Sequence, residues 1–127
     1  MSPTHVARWE AAIRAGMEFN KAFNRHDVAG MMQLVSEDCV LEISGPAPDG
    51  AVHSGRDSIS RFWQDYFRDS PDIHMEIEEI FSVGLRCILR WRCEWTDSGG
   101  KPGHIRGVEI FQLKEGLICQ EVSYVKG

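Results

Sequence analysis

The sequence predicts an α+β domain in which helices pack on the concave face of a curved, mostly antiparallel sheet. Apolar side chains recur at helical spacing through the first 24 residues, as an amphipathic helix requires. A second segment, residues 55–67, has apolar side chains at i, i+3, i+4, i+7 and i+8. After Pro71, four segments of strand composition follow one another with short turns between them. Helices followed by a run of strands are typical of the α+β class.

The first half of the chain is mostly helical. We expect a first helix over residues 3–24, with Ser2 as its N-cap and Pro3 at its first position. The segment "NRHD" breaks it, and Asp27 then caps a short helix over 28–35. The remaining predicted elements of this half are a strand at 39–43, a Pro- and Gly-rich loop at 44–50 and the helix at 55–67.

The second half is expected to be entirely β. The first of these strands breaks its alternation at Glu78 and Glu79, which indicates a β-bulge. The predicted element order is α-α-β-α-β-β-β-β, in one domain over residues 1–127. The four predicted strands are 73–81, 85–95, 104–113 and 117–125.

Composition excludes several classes of function. The net charge is −5 and no dense Lys/Arg run occurs, which argues against nucleic acid or an anionic membrane surface as a partner. No apolar run approaches the roughly 20 residues that span a bilayer, and the first 16 residues lack the apolar core of a signal peptide. The four cysteines and five histidines show no metal-ligand spacing. We therefore expect a cytoplasmic protein with no metal and no cofactor.

One glutamate lies among apolar residues in the strand at 104–113. Because side chains alternate between the faces of a strand, Glu109 shares its face with Ile105, Gly107, Phe111 and Leu113. A carboxyl group in such surroundings is paired, protonated or functional. No lysine or arginine is predicted on this face of its own strand or of the strand before it. We therefore expect the pKa of Glu109 to be raised.

Three segments together resemble the nuclear-transport-factor-2-like (NTF2-like) superfamily, in its SnoaL-like and ketosteroid-isomerase-like branch. They are "AFNRHDVAGMMQLVSEDCVLEI", "HSGRDSISRFWQDYF" and "IRGVEIFQLKEGLICQEVSYV". The resemblance covers nearly the whole chain, and it implies a cone-shaped fold whose mouth is a pocket for a small molecule. Because one fold hosts many activities, the resemblance implies much less about function.

The resemblance also implies roles for single residues. The acidic position of the isomerases falls on Glu109, but their tyrosine position falls on Phe19 and their base position on Ile43, so a strict steroid isomerase is not expected. The second carboxylate of the epoxide hydrolases of this fold falls on Ser123, which argues against that reaction as well. A polyketide-cyclase-like reaction needs one acid/base carboxyl group. The resemblance implies this role for Glu109, and we expect His53 to act as a second proton carrier.

These observations lead to two hypotheses for one apolar pocket. The first is a small cofactor-free enzyme that transfers a proton on a hydrophobic carbonyl compound, as an isomerase or cyclase does. The second is a non-catalytic binding or dimerisation module. In either case we expect a homodimer through the outer sheet face, formed by Ile88, Val108, Ile110, Val122 and Tyr124. The residues expected to bind the substrate are Phe19, Ile43, Trp63, Trp91, Phe111 and Ser123.

Overall fold

The computed structural model describes residues 3–127, with side chains from Glu10 onward. These residues form three helices and six strands, one strand more than the sequence predicts. The elements are α1 (Pro3–Asn24), α2 (Val28–Met32), β1 (Val35–Ile43), β2 (Ala51–Ser54), α3 (Arg56–Asp69), β3 (His74–Val83), β4 (Arg86–Thr96), β5 (Pro102–Lys114) and β6 (Leu117–Lys126).

The six strands form one sheet in the order β2-β1-β6-β5-β4-β3. All neighbouring pairs are antiparallel except β1 and β6, which run parallel. Contacts from α1 reach β3, β4 and β5, and α3 contacts β1 and β2, so the helices cover the inner face. The predicted α+β class and mostly antiparallel sheet are confirmed. Within the described chain no helix is long and apolar enough to cross a membrane.

Two element predictions were wrong around the second helix and the loop that follows β1. The helix ends at Met32, and the strand begins at Val35 rather than at residue 39. The amide of Ile118 donates to the carbonyl of Leu34 at 2.9 Å, so sheet pairing with β6 outweighs the apolar helical pattern here. The short strand β2 was missed because its four residues follow a loop rich in proline and glycine, and its pairing with β1 depends on tertiary contacts.

The other predicted strands lie where expected, and the bulge is confirmed. The register between β3 and β4 shifts between Ile77 and Glu79, so Glu78 is the extra residue. Along β4 and β5 buried and more exposed residues alternate, as a sheet with one covered face requires.

An aromatic cluster joins α1 to α3 above the sheet. The Trp63 ring meets Phe19 at 6.1 Å and Phe23 at 5.7 Å between centroids, both edge-to-face. Phe67 packs against Phe23 at 5.1 Å. Such pairs add about 0.5–1.5 kcal/mol each beyond the apolar area that they bury. The cluster therefore holds both helices at one spacing from the sheet.

One side chain fastens the end of α1 to the edge strand β3. The Asn24 amide nitrogen donates to the Met75 carbonyl at 2.9 Å, and its oxygen accepts from the Met75 N–H at 2.7 Å. Since β3 is the last strand of the sheet, these backbone groups have no further strand to pair with. Asn24 takes the place of that strand at one position.

Replacing Asn24 with alanine should destabilise the fold. Both Met75 backbone groups would lose their partner, and each unsatisfied buried group costs about 1–3 kcal/mol. We expect the free energy of unfolding, measured by urea titration, to fall by roughly that amount. Lys21→Ala, on an exposed side chain of the same helix, is the control and should change stability by less than about 0.5 kcal/mol. Equal stability of the two variants would contradict this role for Asn24.

Candidate functional site

A cavity of ≈ 440 Å³ lies between α3 and the concave face of the sheet. Its walls come from both long helices and from five strands, because the curved sheet leaves more room at this end than the helices fill. Most of the lining is apolar or aromatic, with Phe23, Leu41 and Met75 as examples. A concave apolar site with a few polar groups is the usual form of a small-molecule site.

The mouth of the cavity is shaped by the loop after β1. Ser44 and Gly45 of this loop line the cavity. The Ser44 hydroxyl donates to the carbonyl oxygen of Ser123 at 2.8 Å and accepts from the N–H of Val125 at 3.1 Å. The last residue pair between β1 and β6 is Glu42 and Val122, so this hydroxyl continues the contact beyond the ladder.

Glu109 is the carboxyl group at the cavity wall. It points inward from the middle of β5, opposite Ser123 on β6 and Leu89 on β4, and is only 7% exposed. Its Oε2 is buried without a hydrogen-bond partner. Burial raises the pKa of Glu109 well above its ordinary value, and a negative charge on the nearby Glu121 raises it further. A hydrogen bond from Ser123 to the carboxylate opposes part of this rise.

A second buried carboxyl group, Glu121, lies beside the first. It is 0% exposed, and neither of its oxygens has a hydrogen-bond partner. It lies on β6 between Leu41 of β1 and Phe111 of β5. Burial raises the pKa of Glu121 as well. Glu121 therefore lies deeper than the cavity wall, in the plane of the apolar core.

Sequence analysis missed Glu121, although a signal was present. Placing Val122 and Tyr124 on the outer face also places Glu121 and Ser123 on the inner face, since side chains alternate. The alternation is broken earlier in β6 by a bulge: Gln112 of β5 pairs with Gln120, but the next residue, Leu113, pairs with Ile118. That bulge lets Ile118 and Glu121 both face inward, and it could not be located from composition alone.

The remaining polar groups around the cavity are neutral hydrogen-bond donors. Tyr66 lines the cavity from α3, and burial raises its pKa, with contributions from Cys93 and Glu109. The indole nitrogens of Trp63 and Trp91 are buried without partners, and both side chains line the cavity. No lysine, arginine or histidine lies among the residues found to line it. The site is thus suited to a neutral ligand that carries acceptor oxygens.

The structure brings five of the predicted site residues together and leaves three apart. The five that line the cavity are Ile43, Trp63, Trp91, Glu109 and Ser123.

The other three predicted site residues are Phe19, Phe111 and His53. Phe19 and Phe111 pack against each other at 5.2 Å between ring centroids and are 3% and 1% exposed, so they form the core beneath the cavity. His53 lies on the edge strand β2, with its ring 4.9 Å from that of Phe62, and is not among the lining residues. Phe62 itself lines the cavity and lies beside the imidazole.

Metal binding finds no support in the described residues. Among them no group of three or more His, Cys, Asp or Glu side chains is arranged to hold an ion. Burial raises the pKa of the Cys39, Cys87 and Cys93 thiols to about 12, 11 and 12, so these thiols stay protonated at neutral pH.

Comparison with known proteins identifies relatives of this chain. The family model of the SnoaL-like domain matches residues 17–121. The crystal structure of an NTF2-like protein of unknown function from Mesorhizobium loti is 35% identical, the match covers 94% of each chain, and the TM-score is 0.80. A comparison with curated proteins finds no match.

Two more distant crystal structures share the fold. One is a Mycobacterium tuberculosis protein in complex with estradiol-17β-hemisuccinate, 23% identical over 90% of this chain and 92% of that chain, with a TM-score of 0.78. The other is a Jannaschia sp. CCS1 protein assigned as a SnoaL-like polyketide cyclase, 11% identical over 99% and 90% of the two chains, with a TM-score of 0.83.

Glu109→Gln should change how stability depends on pH. A glutamate whose pKa is raised by folding makes its full contribution to the stability of the fold below the unfolded pKa of about 4.3. This contribution is lost as the pH rises from there through the folded pKa. The amide of glutamine does not ionise. We therefore expect the variant to gain stability relative to the wild type as the pH rises from about 5 to about 8, measured by urea unfolding at each pH.

The matched control is Glu76→Gln, on an exposed position of β3. It should leave the pH dependence of the wild type unchanged. If Glu109→Gln and the wild type change in parallel over this range, Glu109 has an ordinary pKa and the electrostatic description of the site is wrong.

Proposed function

The chain belongs to the SnoaL-like domain family of the NTF2-like superfamily, and on this basis we propose that it binds a hydrophobic carbonyl compound and exchanges a proton with it through Glu109. One observation carries the proposal. Glu109 is a buried carboxyl group at the wall of an otherwise apolar cavity, and it has no cationic partner among the described residues. A structural carboxylate would be paired, so the unpaired one calls for a functional reason.

Because burial raises the pKa of Glu109, the neutral acid form is favoured in the cavity. In this form it can donate a hydrogen bond to a carbonyl oxygen and polarise the carbonyl bond. Ionised carboxylate ligands would bring a negative charge into a site without a cation, and are therefore disfavoured. A neutral ketone or a similar carbonyl compound fits the site better.

One carboxyl group can perform both proton transfers of a keto–enol exchange. As the O–H bond of Glu109 breaks, its proton forms a new O–H bond on the carbonyl oxygen. The C–H bond next to the carbonyl then breaks, and its proton passes to the other Glu109 oxygen, which restores the acid. The double bond moves from C=O to C=C, and no further base is consumed.

Tyr66 is positioned to assist this exchange. Its hydroxyl remains protonated, because burial raises its pKa, and it lines the same cavity from the helix side. A second neutral donor at the oxygen helps to polarise the carbonyl bond and to orient the oxygen toward Glu109, without bringing in a counter-charge. In the isomerases that the sequence resembles, the tyrosine occupies the position of Phe19 on the first helix. The donor proposed here, Tyr66, comes from α3 instead.

A second candidate function is binding without catalysis. The wall opposite Glu109 includes Ile43, the position that the family resemblance connects with a base, and isoleucine cannot accept a proton. Among the described lining residues Glu109 is the sole carboxyl group. The same cavity would then hold an apolar molecule and release it unchanged. The Mycobacterium tuberculosis protein of this fold, crystallised with estradiol-17β-hemisuccinate, supports an occupant with a large apolar ring system in both cases.

Deuterium exchange separates the two functions. Cyclic ketones and polyketide-like diketones that bind the protein, detected by quenching of tryptophan fluorescence, are incubated with it in D₂O, and loss of α-protons is followed by NMR. We expect exchange with the wild type and at least a hundredfold slower exchange with Glu109→Gln, the typical loss on removing a general acid–base group.

Controls keep this test specific. Glu76→Gln should exchange protons at the wild-type rate, since its side chain is exposed and lies outside the cavity. Binding of the ketones by Glu109→Gln shows that the cavity is intact. Compounds that bind the wild type but never exchange would overturn the catalytic function and leave the binding module.

We also propose that two copies of the chain associate through the outer face of the sheet. An apolar row crosses four strands, since the registers of three strand pairs align its members. Ion pairs between Arg106 and Glu78 at 3.3 Å and between Arg90 and Glu79 at 4.0 Å lie beside it. Both charge signs border the row, so the surface can be complementary to itself across a two-fold axis. The row consists of Phe81, Ile88, Ile110 and Val122.

Ile110→Arg should convert this dimer into a monomer. A stable interface buries at least roughly 1,000 Å², and an arginine at its centre would place an unpaired charge there. Sedimentation velocity at micromolar concentration is expected to give a dimer for the wild type and a monomer for the variant. Met17→Arg, at an exposed apolar position of α1, is the control and should stay dimeric. A monomeric wild type would rule out the interface.

A further inference from the structure

Glu109 and Glu121 are two acids buried side by side without a cationic partner among the described residues. They lie on neighbouring strands, and the register pairs Glu109 with Ser123 and Glu121 with Phe111, so the two glutamates are diagonal neighbours on the inner face. Both are less than one-tenth exposed. Of their four carboxyl oxygens, three are buried with no hydrogen-bond partner in the described protein.

The two side chains can reach each other. Diagonal neighbours across an antiparallel pair are about 7–8 Å apart, within reach of long side chains. In this structure the two carboxyl groups are not hydrogen-bonded to each other, so their contact requires a rotation of these flexible side chains. Phe111, which lies directly opposite Glu121, packs on Phe19 with 5.2 Å between the ring centroids.

The other groups that face the pair carry no positive charge. Glu109 is faced by Cys93 from β4, by Tyr66 from α3 and by Ser123 from β6. The thiol of Cys39 from β1 lies near Glu121. No Lys, Arg or His of the described chain forms an ion pair with either carboxyl group.

We propose that Glu109 and Glu121 act as a carboxyl dyad, in which Glu121 keeps its proton and donates a hydrogen bond to Glu109 when Glu109 is ionised. The inference rests on the proposed function for the step that ionises Glu109. In that step the Glu109 O–H bond breaks and an O–H bond forms on the ligand, while the O–H bond of Glu121 stays intact. Glu121 does not line the cavity, so it is a positioning residue and not a catalytic one.

The dyad explains how a buried carboxylate can form at all in this site. Two carboxyl groups so close cannot both ionise, and the one that stays neutral is the natural donor to the one that does. The Ser123 hydroxyl supplies one hydrogen bond to the Glu109 carboxylate. In the dyad, the protonated Glu121 supplies a second. The second bond lowers the barrier to proton release without placing any charge near the ligand.

The test compares two variants that both remove the charge of Glu121. Glu121→Gln retains an N–H donor of similar shape, whereas Glu121→Leu retains only the volume. The protein is labelled with ¹³C at glutamate carboxyl groups, and the titration of Glu109 is followed by NMR without ligand. We expect the pKa of Glu109 to be about one to two pH units lower in Glu121→Gln than in Glu121→Leu, as for a hydrogen bond to a charged group.

Ser123→Ala is the positive control, since loss of its hydrogen bond should raise the pKa of Glu109. Urea unfolding confirms that each variant folds, and Leu is expected to be tolerated because the surroundings are apolar. In the exchange assay Glu121→Leu should lower the turnover rate about tenfold relative to Glu121→Gln, with the ketone concentration for half-maximal rate unchanged.

The outcomes separate the dyad from the proposed function. Equal pKa values of Glu109 in the two Glu121 variants would overturn the dyad, and proton exchange by the wild type would still stand. Lower values in Glu121→Gln support the dyad even if no tested ketone exchanges protons. In that event the exchange assay, and not the titration, decides against the catalytic function.

Discussion

The register between β5 and β6 is the constraint on which the site depends. It places Glu109 opposite Ser123 and Glu121 opposite Phe111, so that both acids face the helices and neither faces water. A slip of one residue in this pairing would reverse the faces of one strand relative to the other, so that Glu109 and Glu121 would lie on opposite faces of the sheet. Gly107 helps to fix this arrangement, because a Cβ there would stand 2.5 Å from the Trp91 ring and 2.6 Å from the Tyr124 carbonyl oxygen. The absent side chain lets Trp91 lie against β5 and close the cavity on that side.

The two acids make the inner face less stable than an apolar one would be. Buried carboxyl groups without partners lose their hydration and regain little of it inside the protein. The aromatic cluster of α1 and α3 and the buried side chains of β4 offset this loss by burying apolar surface. A fold that carries such a local conflict usually does so at a functional position. That reasoning links the energetics of the core to the function of the cavity.

Local sequence patterns were sufficient for most of the fold and for the main acid. The helical spacing of α3, the alternation in β4 and β5 and the position of Glu109 on the inner face all follow from the periods of regular structure. Features that depend on pairing between distant segments were not accessible in this way. The start of β1 at Val35 and the strand β2 are determined by neighbouring strands in the sheet. Tyr66 was not predicted as a site residue because the apolar pattern of α3 does not distinguish core residues from residues that line the cavity.

Ser123 connects the entrance of the cavity with its acid. Its carbonyl oxygen accepts from Ser44 of the entrance loop, while its hydroxyl donates to Glu109. A substitution that shifts the backbone at Ser123 would therefore disturb both the loop after β1 and the surroundings of the carboxyl group, so the two ends of the cavity share one anchoring residue.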